Sequence, residues 1–138
     1  MAGFARLTRT VDFRALHRLA LPGQTEEDAR VRFGWTAGTP GHLHHYRVSV
    51  TVGGRVQAPA PMVVDLGVLD GILRSEIVER YGGRLLNEVA PFDAVTPTCE
   101  AIAMAIFERI GARLPAGVRL DRVRVAEDDS LDAEYAGD

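Results

Sequence analysis

The chain has 138 residues, 46% apolar and 25% charged, with a formal charge of −3, the balance of one soluble globular domain spanning residues 1–138. Its arginines are scattered and mostly answered by acids, so no nucleic-acid surface is expected, and no apolar run approaches the roughly 20 residues of a membrane span. Cys99 is the only cysteine, which excludes an internal disulfide and, with no apolar segment near the N-terminus to suggest a secretory signal, points to the cytoplasm.

The first strand is expected from about Arg6 to His17, with Leu7, Val11, Phe13, Ala15 and His17 on one face because strand side chains alternate. From Leu21 to Gly41 the chain turns to Pro, Gly, Thr and acidic residues and is expected to form a long loop, a length often tied to function. A second strand places His42, His44, Tyr46, Val48, Val50 and Val52 on one face, and Gly53-Gly54 is expected to end it in a turn. Two helices follow. The first starts after an N-cap at Asp65, carries Leu66, Leu69, Leu73 and Ile77 at helical spacing, and stops before Gly82-Gly83. The second is expected to use Thr96 as cap and Pro97 as its first residue, with a stripe of Ile102, Ala103, Ile106, Phe107 and Ile110 that ends at Gly111. Two short strands, about Val118 to Glu127 and Leu131 to Tyr135, meet through Asp128-Asp129. Four strands and two helices segregated in this way predict an α+β domain with an antiparallel sheet. So thin a core favours burial against sister subunits.

Three of the four histidines fall on inward strand faces. His42 and His44, two apart on one strand, point the same way at a separation of roughly 6.5–7 Å, and His17 arrives from another strand. Three neutral imidazoles suit zinc, and a three-ligand site leaves a position open to water or substrate, as catalytic zinc requires. A lone histidine on an apolar face is more often a core residue bonded to backbone, and that reading stands beside the metal one. His45 has the opposite parity and belongs beside the site or in solvent.

These segments resemble the family of 6-pyruvoyl-tetrahydropterin and 6-carboxytetrahydropterin synthases. Phe13-Arg14-Ala15-Leu16-His17-Arg18-Leu19 is similar to the segment that supplies the family's first zinc histidine, and His42-Leu43-His44-His45-Tyr46 to the one that supplies the other two. Met62-Val63-Val64-Asp65-Leu66, Leu86-Asn87 and Pro97-Thr98-Cys99-Glu100 follow in family order. Glu127 stands where the family keeps a pterin-anchoring glutamate. The resemblance implies the tunnelling fold (T-fold), homo-oligomers built as trimers or hexamers, active sites between subunits, a zinc cofactor and a pterin-like small-molecule substrate held by Glu127, Thr98 and Glu100. A strand-parity argument supports Glu127 separately, because it points the way Val123 and Val125 do, and a carboxylate can accept paired N–H donors from a pterin edge.

The chain departs from the family at its acid–base groups. The family cysteine aligns with Gly38, and its aspartate and histidine with Gly82 and Gly83. Glycine carries no proton, so the ordinary reaction loses groups typically worth about 10²–10⁴-fold. Candidate substitutes are Glu26 with its neighbours Glu27 and Asp28, His45, Asp93, and Cys99, whose pKa a helix N-terminus can lower. Three readings result: a zinc-dependent lyase or cyclase with altered chemistry, a non-catalytic module that keeps the metal and the ligand pocket, and a structural protein whose histidines serve the core.

Overall fold

The computed structural model describes residues 1–138 as one antiparallel sheet of four strands in the order β1-β2-β3-β4, covered on one face by helices. Strand β1 is Ala2–His17 and pairs along its whole length with β2, His42–Gln57, from Ala2 opposite Gln57 to His17 opposite His42. Strands β3, Arg119–Ala126, and β4, Asp132–Tyr135, complete the sheet. This is the predicted α+β architecture. The first strand begins four residues earlier than expected because the end of β2 continues past its glycines and offers it partners.

Gly53-Gly54 is not a turn. Both glycines lie inside β2, opposite Arg6 and Ala5, and the Phe4 ring packs so close to Gly53 that a Cβ there would sit 2.7 Å from it. A strand glycine here marks a close approach rather than a reversal.

The expected loop between β1 and β2 holds a helix, α1, Glu26–Phe33, followed by a single 3₁₀ turn at Gly34–Ala37. Hydroxyl Oγ1 of Thr25 accepts the Asp28 N–H at 3.1 Å, Glu26, Glu27 and Asp28 fill the first turn, and Arg30 and Arg32 the last. Those charges suit the two ends of the helix dipole. Only Ala29 of this helix is buried, so it has no apolar stripe and periodicity could not reveal it.

Helix α2 starts at Leu66–Leu73, with Asp65 accepting the Val68 N–H, and runs through a π-helical turn at Arg74–Val78 to Glu79–Tyr81. Helix α3 is Cys99–Gly111. Its cap is Thr98, which accepts the Ala101 N–H at 3.1 Å, and not Thr96 as expected. The Thr96 hydroxyl instead donates to the Ala20 carbonyl, and the Pro97 carbonyl is engaged by the sheet. Leu69, Leu73 and Ile77 of α2 and Ile102, Ile106 and Ile110 of α3 join Tyr46, Val48, Val50, Val52, Val123 and Val125 of the sheet in one continuous core, all fully buried. None of the helices is long and apolar enough to cross a membrane.

The opposite sheet face is polar. Thr8 meets Thr51, Thr10 meets Ser49, and Arg6, Arg122 and Arg124 pair with Asp121, Glu134 and Asp132. Alternation of apolar and polar residues along each strand thus decides which face takes the helices.

The turn after α2 is built around its glycines. A Cβ on Gly82 would lie 2.6 Å from the Val78 carbonyl oxygen, while Gly83 has φ +74° and donates its N–H to Arg14 O at 2.7 Å. We expect Gly82→Ala to lower stability by about 1–3 kcal/mol through this backbone clash. Gly71→Ala, at a helix position where an added Cβ meets nothing within 4 Å, should raise it by up to about 1 kcal/mol. Urea midpoints at constant slope measure both, and equal midpoints for the two variants would contradict the steric account.

Candidate metal centre

The long register between β1 and β2 assembles the histidine cluster. It sets His17 directly across from His42, with Ala15 across from His44, so the small alanine leaves room for a ring beside it. The three imidazoles stand with ring centroids 4.6–4.9 Å apart, edge to face. One ring nitrogen from each can converge, all within 4.8 Å of one another, an arrangement able to hold a metal ion.

His17 is the buried member, 2% exposed. Its Nδ1–H donates to the Pro97 carbonyl at 2.8 Å, so Nε2 is left with a free lone pair facing the cluster. That bond ties the last residue of β1 to the start of α3. Burial, and then the neighbouring His42 and His44, push its pKa down to about 4, while the bond to Pro97 works in the other direction. Burial, with His44 next, lowers His42 as well, and Nδ1 of His42 is buried without a hydrogen-bond partner. Such an orphaned nitrogen, beside the neutral imidazole of His17, is the donor chemistry a divalent cation requires.

Glu127 follows the end of β3, where its N–H donates to Leu131 O. Its carboxylate Oε2 lies 3.6 Å from Nε2 of His17 and 3.5 Å from Nε2 of His44, and the side chain is 15% exposed. No lysine or arginine pairs with it. The cluster opens into a cavity of about 240 Å³ whose walls include Thr98, Cys99 and Glu100 at the start of α3 together with Glu127. The three histidines, Glu127, Thr98 and Glu100 proposed from sequence therefore meet in one place.

Several sequence candidates do not. Glu26, Glu27 and Asp28 form the exposed first turn of α1 and do not line the cavity, and Asp93 is exposed in a turn. His45 points to the other sheet face, more than half exposed, with Nε2 3.5 Å from Asp12. Cys99 does line the cavity, but burial and the carboxylates of Glu127 and Glu100 push its thiol up to about 12, so the helix N-terminus does not make it a thiolate near neutral pH. Gly38, Gly82 and Gly83 are absent from the cavity wall.

The structure adds residues that motif reading passed over. Trp35 and Thr36, on the 3₁₀ turn, line the cavity, as do Leu19, Asp128 and Leu131. The Trp35 ring lies 4.9 Å from His42. A lone tryptophan in a loop of functional length was the available signal. Tyr46 packs against His17 and His44, and its hydroxyl is buried and unpartnered.

A pH dependence follows from His17. Its folded pKa lies below the ordinary 6.5, so above 6.5 neither state is protonated and the fold is at full strength. As the pH falls towards 4 the unfolded chain takes up the proton first, and metal-free protein should lose roughly 3 kcal/mol through this group. Urea unfolding of metal-free protein between pH 7 and 4.5 checks this, with His17→Gln expected to flatten the slope. An unchanged slope in the variant would assign the effect to other groups.

Comparison with known proteins agrees with this geometry. The family model described as 6-pyruvoyl tetrahydropterin synthase matches residues 6–138. The human 6-pyruvoyl tetrahydrobiopterin synthase is 32% identical over 135 residues, covering 97% of this chain and 92% of the human one. Its Drosophila melanogaster counterpart is 30% identical over 134 residues, with 96% and 80% covered. The solved Caenorhabditis elegans 6-pyruvoyl tetrahydropterin synthase superposes with a TM-score of 0.89 at 25% identity, over 99% of this chain and 97% of that one. The chain therefore belongs to the 6-pyruvoyl tetrahydropterin synthase family.

Proposed function

We propose that the protein is a zinc-dependent lyase or cyclase acting on a pterin-like, planar, N–H-rich substrate, with chemistry altered from that of 6-carboxytetrahydropterin synthase. The observation that carries this reading is the convergence of His17, His42 and His44 at a cavity that also holds Glu127, Thr98 and Glu100, in a chain of this family. Bound zinc supplies Lewis acidity at its open position, polarising a hydroxyl or carbonyl oxygen or lowering the pKa of a bound water.

The chain's own residues do the rest. His17, fixed by Pro97, and His42 stay neutral at physiological pH and so remain available as ligands. Glu127 and Glu100 offer carboxylate oxygens to the N–H edge of the substrate, and a carboxylate accepting two such donors fixes both position and orientation. Thr98 adds a hydroxyl whose oxygen already caps α3, which holds it in place and leaves its proton free to donate. Cys99 remains a thiol and takes no part as a nucleophile. The family's proton carriers are missing at Gly38, Gly82 and Gly83, and the backbone around Gly82 leaves no room for a side chain. Ring closure or rearrangement, in which the metal supplies most of the activation, fits this inventory better than a sequence of proton transfers. We place the protein in the cytoplasm as a trimer or hexamer, a reading supported by its single, reduced cysteine and by its family.

The same missing side chains favour a second reading, a non-catalytic homologue that keeps metal and ligand. Elemental analysis of untagged wild type, His42→Ala and His44→Ala, together with turnover of dihydroneopterin triphosphate, separates the two. About one zinc per chain in the wild type and none in either variant, with turnover lost on chelation and restored by zinc, supports the enzyme. One zinc with tight pterin binding and no turnover supports the binding module. A wild type that resists loading with zinc would make the histidines core residues and end the metal reading.

Glu127→Gln should retain zinc while weakening pterin binding by about tenfold, because a charge-assisted hydrogen bond is lost at each substrate donor. Calorimetric titration with neopterin measures the change. Unaltered affinity would remove Glu127 from the substrate site.

A further inference from the structure

Trp35 is the only tryptophan in the chain, and the residue is 75% exposed. Tryptophan is highly buried on average because its ring has so much apolar surface to hide from water. The backbone of its turn is tied down from both sides by hydrogen bonds. Leu19 N–H donates to Thr36 O at 2.9 Å, Arg18 Nε to Ala37 O at 3.0 Å and Gly38 N–H to Trp35 O at 3.0 Å. The Thr36 hydroxyl donates to Phe33 O at 2.6 Å. A rigid turn thus presents an unburied indole in a defined place, 4.9 Å from the His42 ring and on the wall of the 240 Å³ cavity.

The wall residues Thr98, Glu100 and Glu127 can recognise the edge of a flat heterocycle but have no means of gripping its faces. An aromatic ring supplies that grip, because stacking needs only a π-face on the ligand. We infer that Trp35 is a specificity-determining wall of this pocket, whose indole stacks on the flat face of the bound heterocycle. The inference rests on the pterin reading above and names the residue that selects for planarity within it. It also accounts for the exposure, because the ring is covered when substrate enters.

The position of the ring makes it its own reporter. Neopterin titrated into zinc-loaded wild type should quench the emission of this sole tryptophan saturably, at the same dissociation constant that calorimetry gives. Trp35→Ala should bind neopterin about tenfold more weakly, the lower part of the range for loss of one stacking partner. Trp35→Phe should restore most of the affinity, to within about threefold of wild type. Zinc content and sedimentation velocity should be the same for all three proteins. If the substrate is turned over, Trp35→Ala should raise KM far more than it lowers kcat. Unchanged affinity in Trp35→Ala, or silent tryptophan emission while calorimetry shows binding, overturns the assignment of Trp35 alone. A shift of Trp35→Ala to a smaller assembly would make the indole a subunit contact and overturns it as well. Absence of neopterin binding by zinc-loaded wild type overturns the pterin reading, and the assignment with it.

Discussion

The β1–β2 register is the constraint on which the rest of the molecule depends. Sixteen consecutive pairs, from Ala2 opposite Gln57 to His17 opposite His42, decide at one stroke which residues face the helices and which histidines meet. A slip of one residue would turn Val48, Val50 and Val52 towards solvent and part His17 from His42, because side chains alternate with a period of two. Core and site therefore share one determinant. The apolar residues that make the register favourable are also what hold three imidazoles at the end of the sheet, where no apolar packing would bring them by itself.

That end of the sheet is locked to the helical layer by a single polar contact. The Pro97 carbonyl sits just ahead of α3 and receives the His17 Nδ1–H, and Thr98 then caps the helix. The contact does three things at once. It fixes the tautomer of His17, it sets the start of α3 against the cluster, and it thereby brings Cys99 and Glu100 to the same cavity as Glu127. Charge follows from this placement. Burial favours the neutral forms of His17 and His42, and no lysine or arginine answers Glu127, which faces the rings of His17 and His44. Three imidazole nitrogens within 4.8 Å of one another, beside a carboxylate that no basic side chain answers, form an arrangement able to hold a cation.

The glycines after α2 show how backbone geometry limits what a turn can carry. At Gly82 the backbone itself occupies the space of a side chain, and at Gly83 the positive φ disfavours most replacements, so neither position of the turn that ends α2 readily takes a larger residue. Restoring an aspartate at position 82 would require the turn to move, not only a codon to change. The three histidines lie on the rigid sheet, and Thr98, Cys99 and Glu100 at the α3 N-terminus.

How much was legible in the chain itself follows the same division. Periodicity revealed the strands, α2 and α3 because each buries a clear apolar face, and Asp65 marked the start of α2 by its capping chemistry. It missed α1, which buries only Ala29 and is held by Thr25 and its end charges. It also mistook Gly53-Gly54 for a turn, since nothing local announces that the Phe4 ring will lie against Gly53. Thr96 was the expected cap, but its hydroxyl donates to the Ala20 carbonyl and Thr98 caps the helix instead. By itself, then, the sequence determined the face each strand turns inward, the identity of the three histidines and the family, all of which rest on local alternation and short motifs. Tertiary structure alone decided which acids reach the cavity, the raised pKa of Cys99 and the placing of Trp35 beside His42. Those depend on distances between segments far apart in the chain, and on the burial that only the closed fold creates.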